Sequence, residues 1–391
     1  MRNIDPKVDE AIETLNMRDG VTRRRLLEGT GLVSASAAAA ALLAACSSSG
    51  KSSAAASSAI GNFPKTPAWQ FWFINHVTTN LFFVPTQFGM KDAAALLGLP
   101  APKWTGSQNS ITSEMTAAIS TATAAKAAGI ATAVINATSF TTPVKQAMDA
   151  GIPVVSYNAD GAVVAGGKAE IGTNRLCYVG QALYLSGQQM GERIKSLVPT
   201  PGEIAIFIAT PGTGNIQPRY DGAASILTPA GYTVKEIATG AATAAEQAAE
   251  KAYLIGNKAK IKGAFAVDAG STELLGPTLA SVGLAGKIPA GGFDLTSGTL
   301  TAIQAGQLDF TIDQEPYLQG FLPVLYLYLF NLTGGLSIPP DTDTGLTFVT
   351  KSNVGPYLNS KTSYEGSTGA NKPTLVTRSG PIQNPVATTS T

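Results

Sequence analysis

The chain has 391 residues, 44% hydrophobic and 14% charged, with 27 basic and 26 acidic side chains and a formal net charge of +1. That is too apolar for a disordered chain and too neutral to point to a nucleic-acid partner, and the length corresponds to two or three units of domain size. A single histidine, His76, excludes a two-histidine metal site or a histidine relay, and a Ser-His-Asp hydrolase would have to use that one residue.

The first segment reads as an address. TRRRLLEGTGLV, from Thr22 to Val33, sets arginines ahead of an apolar run, the pattern of a twin-arginine export signal. The apolar run from Leu32 to Ala45 is shorter than the ~20 residues that span a bilayer. It ends in Leu43-Ala44-Ala45-Cys46, which resembles the lipobox of bacterial lipoproteins. Residues 1–45 are therefore expected to form a removable signal peptide, with Cys46 as the lipid anchor on the outer face of the cytoplasmic membrane. Residues 46–65, rich in serine and alanine, read as a flexible tether. Cys177, the only cysteine beyond that point, has no partner for an internal disulfide and reads as a small buried apolar residue.

From Trp69 onward apolar strands alternate with helical patterns. WQFWFIN reads as a strand, FFVPTQFGMKDAAALLG as a helix ending at Gly98, and SQNSITSEMTAAISTATAAKAAG as a helix capped by Ser107 or Ser110. ATAVINA, the helix TPVKQAMDAG and the strand IPVVSYN complete a first α/β set. The pattern restarts at LCYVGQ with a helix through Met190. It continues with EIAIFIAT, a helix over Tyr220 to Ala230, TVKEIAT, a helix from Ala241 to Gly256 and GAFAVDA. A helix around Leu274 to Val282, KIPAGGFD, a helix from Leu300 to Ala305 and LDFTID close the second set. FLPVLYLYLFNL predicts a short helical core segment, GLTFVT a late strand, and residues 359–391 a loose tail. Strands that are almost wholly apolar belong in parallel sheets covered on both faces, so the expected fold is α/β, with two doubly wound lobes and a cleft between their carboxyl edges.

Polar residues recur at the carboxyl ends of these strands. Asn75 and His76 follow FWFI, Asn136 follows AVI, Asn158 follows VVSY, Asp268 follows FAV, Asp294 follows GGF, and Asp313-Gln314 follow FTI. Arg219 opens the helix after IFIAT, and Asn80, Phe82 and Phe83 open the first helix. Carboxylates and amides in number, one guanidinium fork and an aromatic ring suit a neutral polyol with hydroxyls and an apolar face. Arg219 would also offset one buried acid. His76 stands beside this edge, either as a ligand contact or as a hydrogen-bond partner. TPGTGN is only a weak echo of a phosphate loop. No cofactor, metal or catalytic residue is expected.

These residues also carry a family likeness. NHVTTNLFFVPTQFG, WTGSQNS, AGIPVVSYNAD, YVGQALYLSGQQMG, NIQPRYDGA, FAVDAGST, GGFDLTSGTLTAIQAGQLDFTIDQEPYLQG and TGLTFVT, in this order, resemble the periplasmic-binding-protein type I class that serves sugar ABC transporters. The resemblance runs from about Ala68 to Tyr357. It implies ligand contacts at Asn80, Phe82, Phe83, Asn136, Asn158, Arg219, Asp268, Asp294 and Gln314, with a first-helix ring stacked on the sugar. It also implies three crossings between lobes, near Gly180, Gln314 and Asp341. The lobes would comprise residues 66–179 with 315–340, and 180–314 with 341–358. Two departures from the ribose-type pattern are visible: Asn158-Ala159 stands where that pattern has Asp-Arg, and Asp268 where it often has Asn. The implied function is a monomeric receptor that captures a monosaccharide or related polyol and delivers it to an ABC permease. The alternatives are a sugar-sensing co-receptor with the same lobes and, more remotely, a glycosidase using Asp268 and Asp294.

Overall fold

The computed structural model describes residues 65–161 and 174–359; the signal segment, Cys46, most of the tether and the tail from Ser360 lie outside them. Among the described residues two six-stranded sheets form, each with its own core.

The first sheet contains β1 (Phe71–Asn75), β2 (Lys103–Gly106), β3 (Gly129–Val134), β4 (Val154–Asp160), β5 (Tyr178–Gly180) and β11 (Thr342–Asp343), in the order β11-β5-β4-β3-β1-β2. All its pairings are parallel. The second contains β6 (Glu203–Ile208), β7 (Thr233–Ala238), β8 (Ile261–Ala266), β9 (Ala290–Phe293), β10 (Phe310–Asp313) and β12 (Thr347–Thr350), in the order β12-β10-β9-β8-β6-β7. Only β12 runs antiparallel, on the edge. In both sheets the chain starts in an inner strand, steps outward once, then reverses. The reversals fall between β1 and β3 and between β6 and β8, the positions at which doubly wound sheets open a crevice.

The helices follow from the sequence with shifted ends. After a 3-10 turn at Leu81–Phe83 come α1 (Val84–Leu96), α2 (Thr112–Ala124) and α3 (Ala137–Asp149). The second lobe adds α4 (Leu183–Leu197), α5 (Gln217–Leu227), α6 (Thr243–Asn257), α7 (Ala269–Ser281) and α8 (Ser297–Gln304). The long α9 (Pro316–Leu332) returns to the first sheet, and α10 (Gly355–Asn359) ends the described chain. α9 starts at Pro316, five residues before the apolar run read from sequence, because Glu315 turns the chain with φ 55° and proline presets the first helical residue. Neither serine caps α2: Ser110 has φ 58°, and Ser107 Oγ accepts from Asn109 N and Ile111 N in the turn ahead of it. KWTG carries no strand signal in the sequence, yet it forms a half-exposed strand on the edge of the sheet with only two large side chains.

The chain passes between the sheets three times, after β5, after β10 and after β11. β11 pairs with β5, so Asp341 to Asp343 stay with the first sheet and the last passage lies at residues 344–346, near the expected Asp341. The two-residue β11 has no apolar pattern to announce it. Among the described residues no helix is long and apolar enough to cross a membrane.

Two helix pairs set how closely each lobe packs. A Cβ added to Gly89 on α1 would lie 2.1 Å from Tyr317 O on α9, and one on Gly320 would lie 2.0 Å from Thr86 O. In the second lobe Gly187 on α4 and Gly222 on α5 meet Arg219 O and Tyr184 O at 2.1 Å in the same way. Backbone touches backbone, so a methyl group there can be accommodated only by moving a helix. Gly89→Ala is expected to lower stability by about 1–3 kcal/mol in urea denaturation. Gly256→Ala, on the exposed face of α6 with nothing within 4 Å, should raise it by roughly 0.5–1 kcal/mol.

Glu246 and Glu250 lie one turn apart on α6 and are buried; burial pushes Glu250 up to about 9 and Glu246 up to about 7. A carboxyl held protonated in the fold but ionised in the unfolded chain costs stability as pH rises between its two values. The chain should therefore lose stability from about pH 5 to 9, at a limiting slope of roughly 1 kcal/mol per pH unit from Glu250. Glu250→Gln should flatten that slope in denaturation curves taken at pH 5, 7 and 9.

Candidate functional site

The carboxyl ends of the central strands of both sheets lie at the cleft, and the polar residues there divide into two groups. Four form a buried chain through the middle. Asn158, held at φ 62° at the end of β4, donates from Nδ2 to Gln319 Oε1 at 3.1 Å. Gln319 Nε2 donates to Gln314 Oε1 at 3.1 Å, and Gln314 Nε2 donates to Asp294 Oδ1 at 2.6 Å. Asp294 sits at φ 77°, with its N–H bonded to Ile312 O.

Arg219 completes this centre. It is 2% exposed, its guanidinium lies 4.3 Å over the Phe293 ring, and it donates to Val267 O at 3.0 Å and Gln181 Oε1 at 3.2 Å. Its Nε is buried with no hydrogen-bond partner. Burial pushes the Asp294 carboxyl up to about 6 against the pull of Arg219, and burial draws Arg219 down from its usual value. One buried cation thus stands among buried acids and amides, a set that can clamp hydroxyls from both the donor and the acceptor side.

The other predicted residues have local structural duties. Asn80 is exposed and accepts from Phe82 N, capping the 3-10 turn; Asn136 is exposed and accepts from Ser139 N, capping α3. Asp268 caps α7 through Ser271 N, and its other oxygen accepts from Ala209 N and Ser271 Oγ. Phe83 is a core residue, 2% exposed, in contact with Trp104 and His76. Phe82 is only half-buried, edge-to-face on Phe83 at 4.7 Å, and is the ring with more free surface. Asp313 is buried behind Gln314, with Oδ1 accepting from Glu315 N.

Sequence reasoning missed the amides that organise the centre. Gln319 stands in the largely apolar α9 and is fully buried, and an amide inside such a helix was its signal. Gln181, directly after β5, followed the same strand-end rule as the others. Thr344 donates to Gln314 O at 2.7 Å and lies in a segment with no periodic pattern. Among the described residues no cluster of three His, Cys, Asp or Glu side chains is arranged to hold a metal ion.

The lobes touch across the cleft. In the loop after β6, Gly214 N donates to Ile135 O at 3.3 Å, and a Cβ on Gly214 would lie 2.2 Å from Gly161 O. Asn215 Nδ2 stands 3.4 Å from His76 Nε2. The two sheet-reversal crevices therefore close on each other. A side chain at Gly214 would prop them apart, so Gly214→Val is expected to keep the fold and the melting temperature. It should abolish the fall in radius of gyration, measured by small-angle X-ray scattering, that a closing solute produces.

Residues 71–330 match the model of the periplasmic binding protein domain. The chain is 47% identical over 325 residues to the xylose/arabinose-binding protein XylF of Sulfolobus acidocaldarius, covering 82% of this chain and 80% of that protein. A solute-binding protein of an ABC transporter from Burkholderia graminis, solved in complex with D-arabinose, superposes with a TM-score of 0.67 at 25% identity. It covers 75% of this chain and 99% of the other. A carbohydrate transporter from Acidothermus cellulolyticus, in complex with myo-inositol, gives a TM-score of 0.65 at 25% identity over 77% of this chain and 99% of the other. The chain belongs to the periplasmic binding protein family.

Proposed function

We propose that the chain is the extracytoplasmic solute-binding protein of an ABC importer. It takes a neutral monosaccharide, with aldopentoses first, into the cleft and presents the closed form to a membrane permease. The observation that carries this reading is the buried chain Asn158–Gln319–Gln314–Asp294 with Arg219 beside it. The names of the relatives support the solute class: one is a xylose/arabinose-binding protein, and the solved structures hold D-arabinose and myo-inositol.

Ligand contacts are assigned to Asn158, Arg219, Asp294 and Gln314 in the centre. Phe82 is the stacking ring, Asn80 and Asn136 stand at the exposed rim, and the buried Phe83 and Asp268 back the site from behind, against the core and at the start of α7. Capture at micromolar concentration needs about −8 kcal/mol, a sum that several charge-assisted hydrogen bonds and one stacked ring supply. Export through the arginine-containing signal and lipidation at Cys46 would hold a monomeric receptor at the outer face of the cytoplasmic membrane, with the residues after Cys46 as its tether.

The test is a thermal-shift and calorimetry series on the purified protein with D-xylose, L-arabinose, D-ribose, D-glucose and myo-inositol. A solute at 100 times its dissociation constant stabilises the fold by about 2.7 kcal/mol. One pentose is expected to give that shift, and Arg219→Ala and Asp294→Ala should each remove it. A flat response to every sugar would sink the reading.

A further inference from the structure

His76 and Asn215 lie where the two sheet-reversal crevices meet, and neither belongs to the ligand set above. His76 follows β1 at the β1/β3 reversal, and Asn215 lies in the loop after β6 at the β6/β8 reversal. The Asn215 amide nitrogen can only donate, so His76 Nε2, 3.4 Å away, is the accepting, unprotonated ring nitrogen. The ring proton then sits on Nδ1. Burial draws this imidazole down to about 4, so at neutral pH the ring is uncharged and carries that one proton.

His76 is 4% exposed, and its Nδ1 is buried with no hydrogen-bond partner. The ring is held edge-on to Phe83 at 5.3 Å, and its backbone carbonyl accepts from Ser110 N. A buried N–H donor with no acceptor is unfavourable, and native structures keep such groups where a ligand or water completes them.

We propose that His76 is a ligand-contacting, specificity-determining residue: its Nδ1–H donates to a hydroxyl oxygen of the bound sugar, and Asn215 from the opposite lobe selects the tautomer that makes this possible. The inference rests on the sugar reading above and adds a residue to it. It ties recognition to closure, because the donor is set only when Asn215 reaches the ring. A sugar lacking the facing hydroxyl leaves the N–H unpaired and is rejected.

His76 is the only histidine of the chain, so histidine-selective nitrogen labelling yields one ring spin system to follow. Ring spectra and melting temperatures of the full chain would be recorded with D-xylose, L-arabinose and myo-inositol, beside His76→Phe and His76→Asn. The sugar that stabilises the protein is expected to produce the Nδ1-protonated tautomer with a slowly exchanging proton. His76→Phe should melt like the parent without sugar but bind about tenfold more weakly or worse. His76→Asn, whose amide N–H can take the place of Nδ1–H, should recover part of that loss, and the parent spectra decide the question even if the phenylalanine variant does not fold. A sugar that raises the melting temperature while the ring signals stay unmoved overturns the inference alone, as does unchanged affinity in His76→Phe. A parent that no sugar stabilises removes the sugar reading and this inference with it.

Discussion

Three passages of chain between two sheets have no ladder or helix to satisfy their backbone, yet they run through the middle of the protein. Two glutamine amides, a threonine hydroxyl and two aspartates do most of that work, with Asp343 accepting from Ala182 N and Asp313 from Glu315 N. Gln319 Nε2 bonds Gln314 O and Thr344 Oγ1, and Thr344 Oγ1 bonds Gln314 O, tying the second and third passages. Thr344 N bonds Gly180 O, and Gln181 Nε2 bonds Gly345 O, tying the first to the third. Buried backbone groups are almost always paired, so these few side chains decide whether the passages can exist at all. The same amides reach the cleft: Gln314 holds Asp294, and Gln181 holds Arg219. The hinge and the proposed ligand contacts are one hydrogen-bonded body, so in the proposed site a solute held by Arg219 or Gln314 would pull on the passages between the lobes.

The electrostatics of that body favour an uncharged solute. Asp268 spends both oxygens on Ser271 and Ala209, so it does not serve as a free acid in the cleft. That removes the pair of carboxylates a glycosidase would need. What remains is Arg219 facing Asp294, whose carboxyl burial has pushed up to about 6. An anionic solute would add charge beside that acid, and a cationic one would meet Arg219. Hydroxyls let both groups keep their partners while replacing the water lost on closure.

The alternation of apolar strands and helices was legible because parallel strands buried on both faces carry an unmistakable run, as in EIAIFI and GAFAVD. The strand-end rule singled out Asn158, Asp294 and Gln314, which the fold brings into one buried hydrogen-bonded chain, because a polar residue after such a run stands out. It could not tell that Asn80 and Asn136 also cap a turn and a helix, because a helix cap and a ligand contact call for the same residue type at the same place. Strands β2 and β11 escaped because edge strands of two to four residues carry little periodicity. Tertiary contacts without local pattern stayed out of reach, above all the approach of Gly214 to Gly161.

The departure at Asn158-Ala159 gains a physical meaning from the fold. Ala159 is fully buried within β4, so no charged side chain enters the cleft there, and Asn158 gives its amide to Gln319 instead. The nearest guanidinium on that edge is Arg175, turned away into a pair with Asp160 and a second contact to Asp341 at 3.1 Å. Asp341 also accepts from Tyr178 N, so this charged cluster braces β5 to the segment leading into the third passage. Charge that the ribose-type pattern spends on the solute is spent here on the hinge rim. Among the described residues the proposed site holds a single cation, Arg219, which would leave discrimination among sugars to neutral donors and acceptors whose positions are fixed by the passages themselves. Selectivity in such a site comes from unpaired polar groups when the wrong hydroxyl pattern enters, a penalty that grows as closure excludes water.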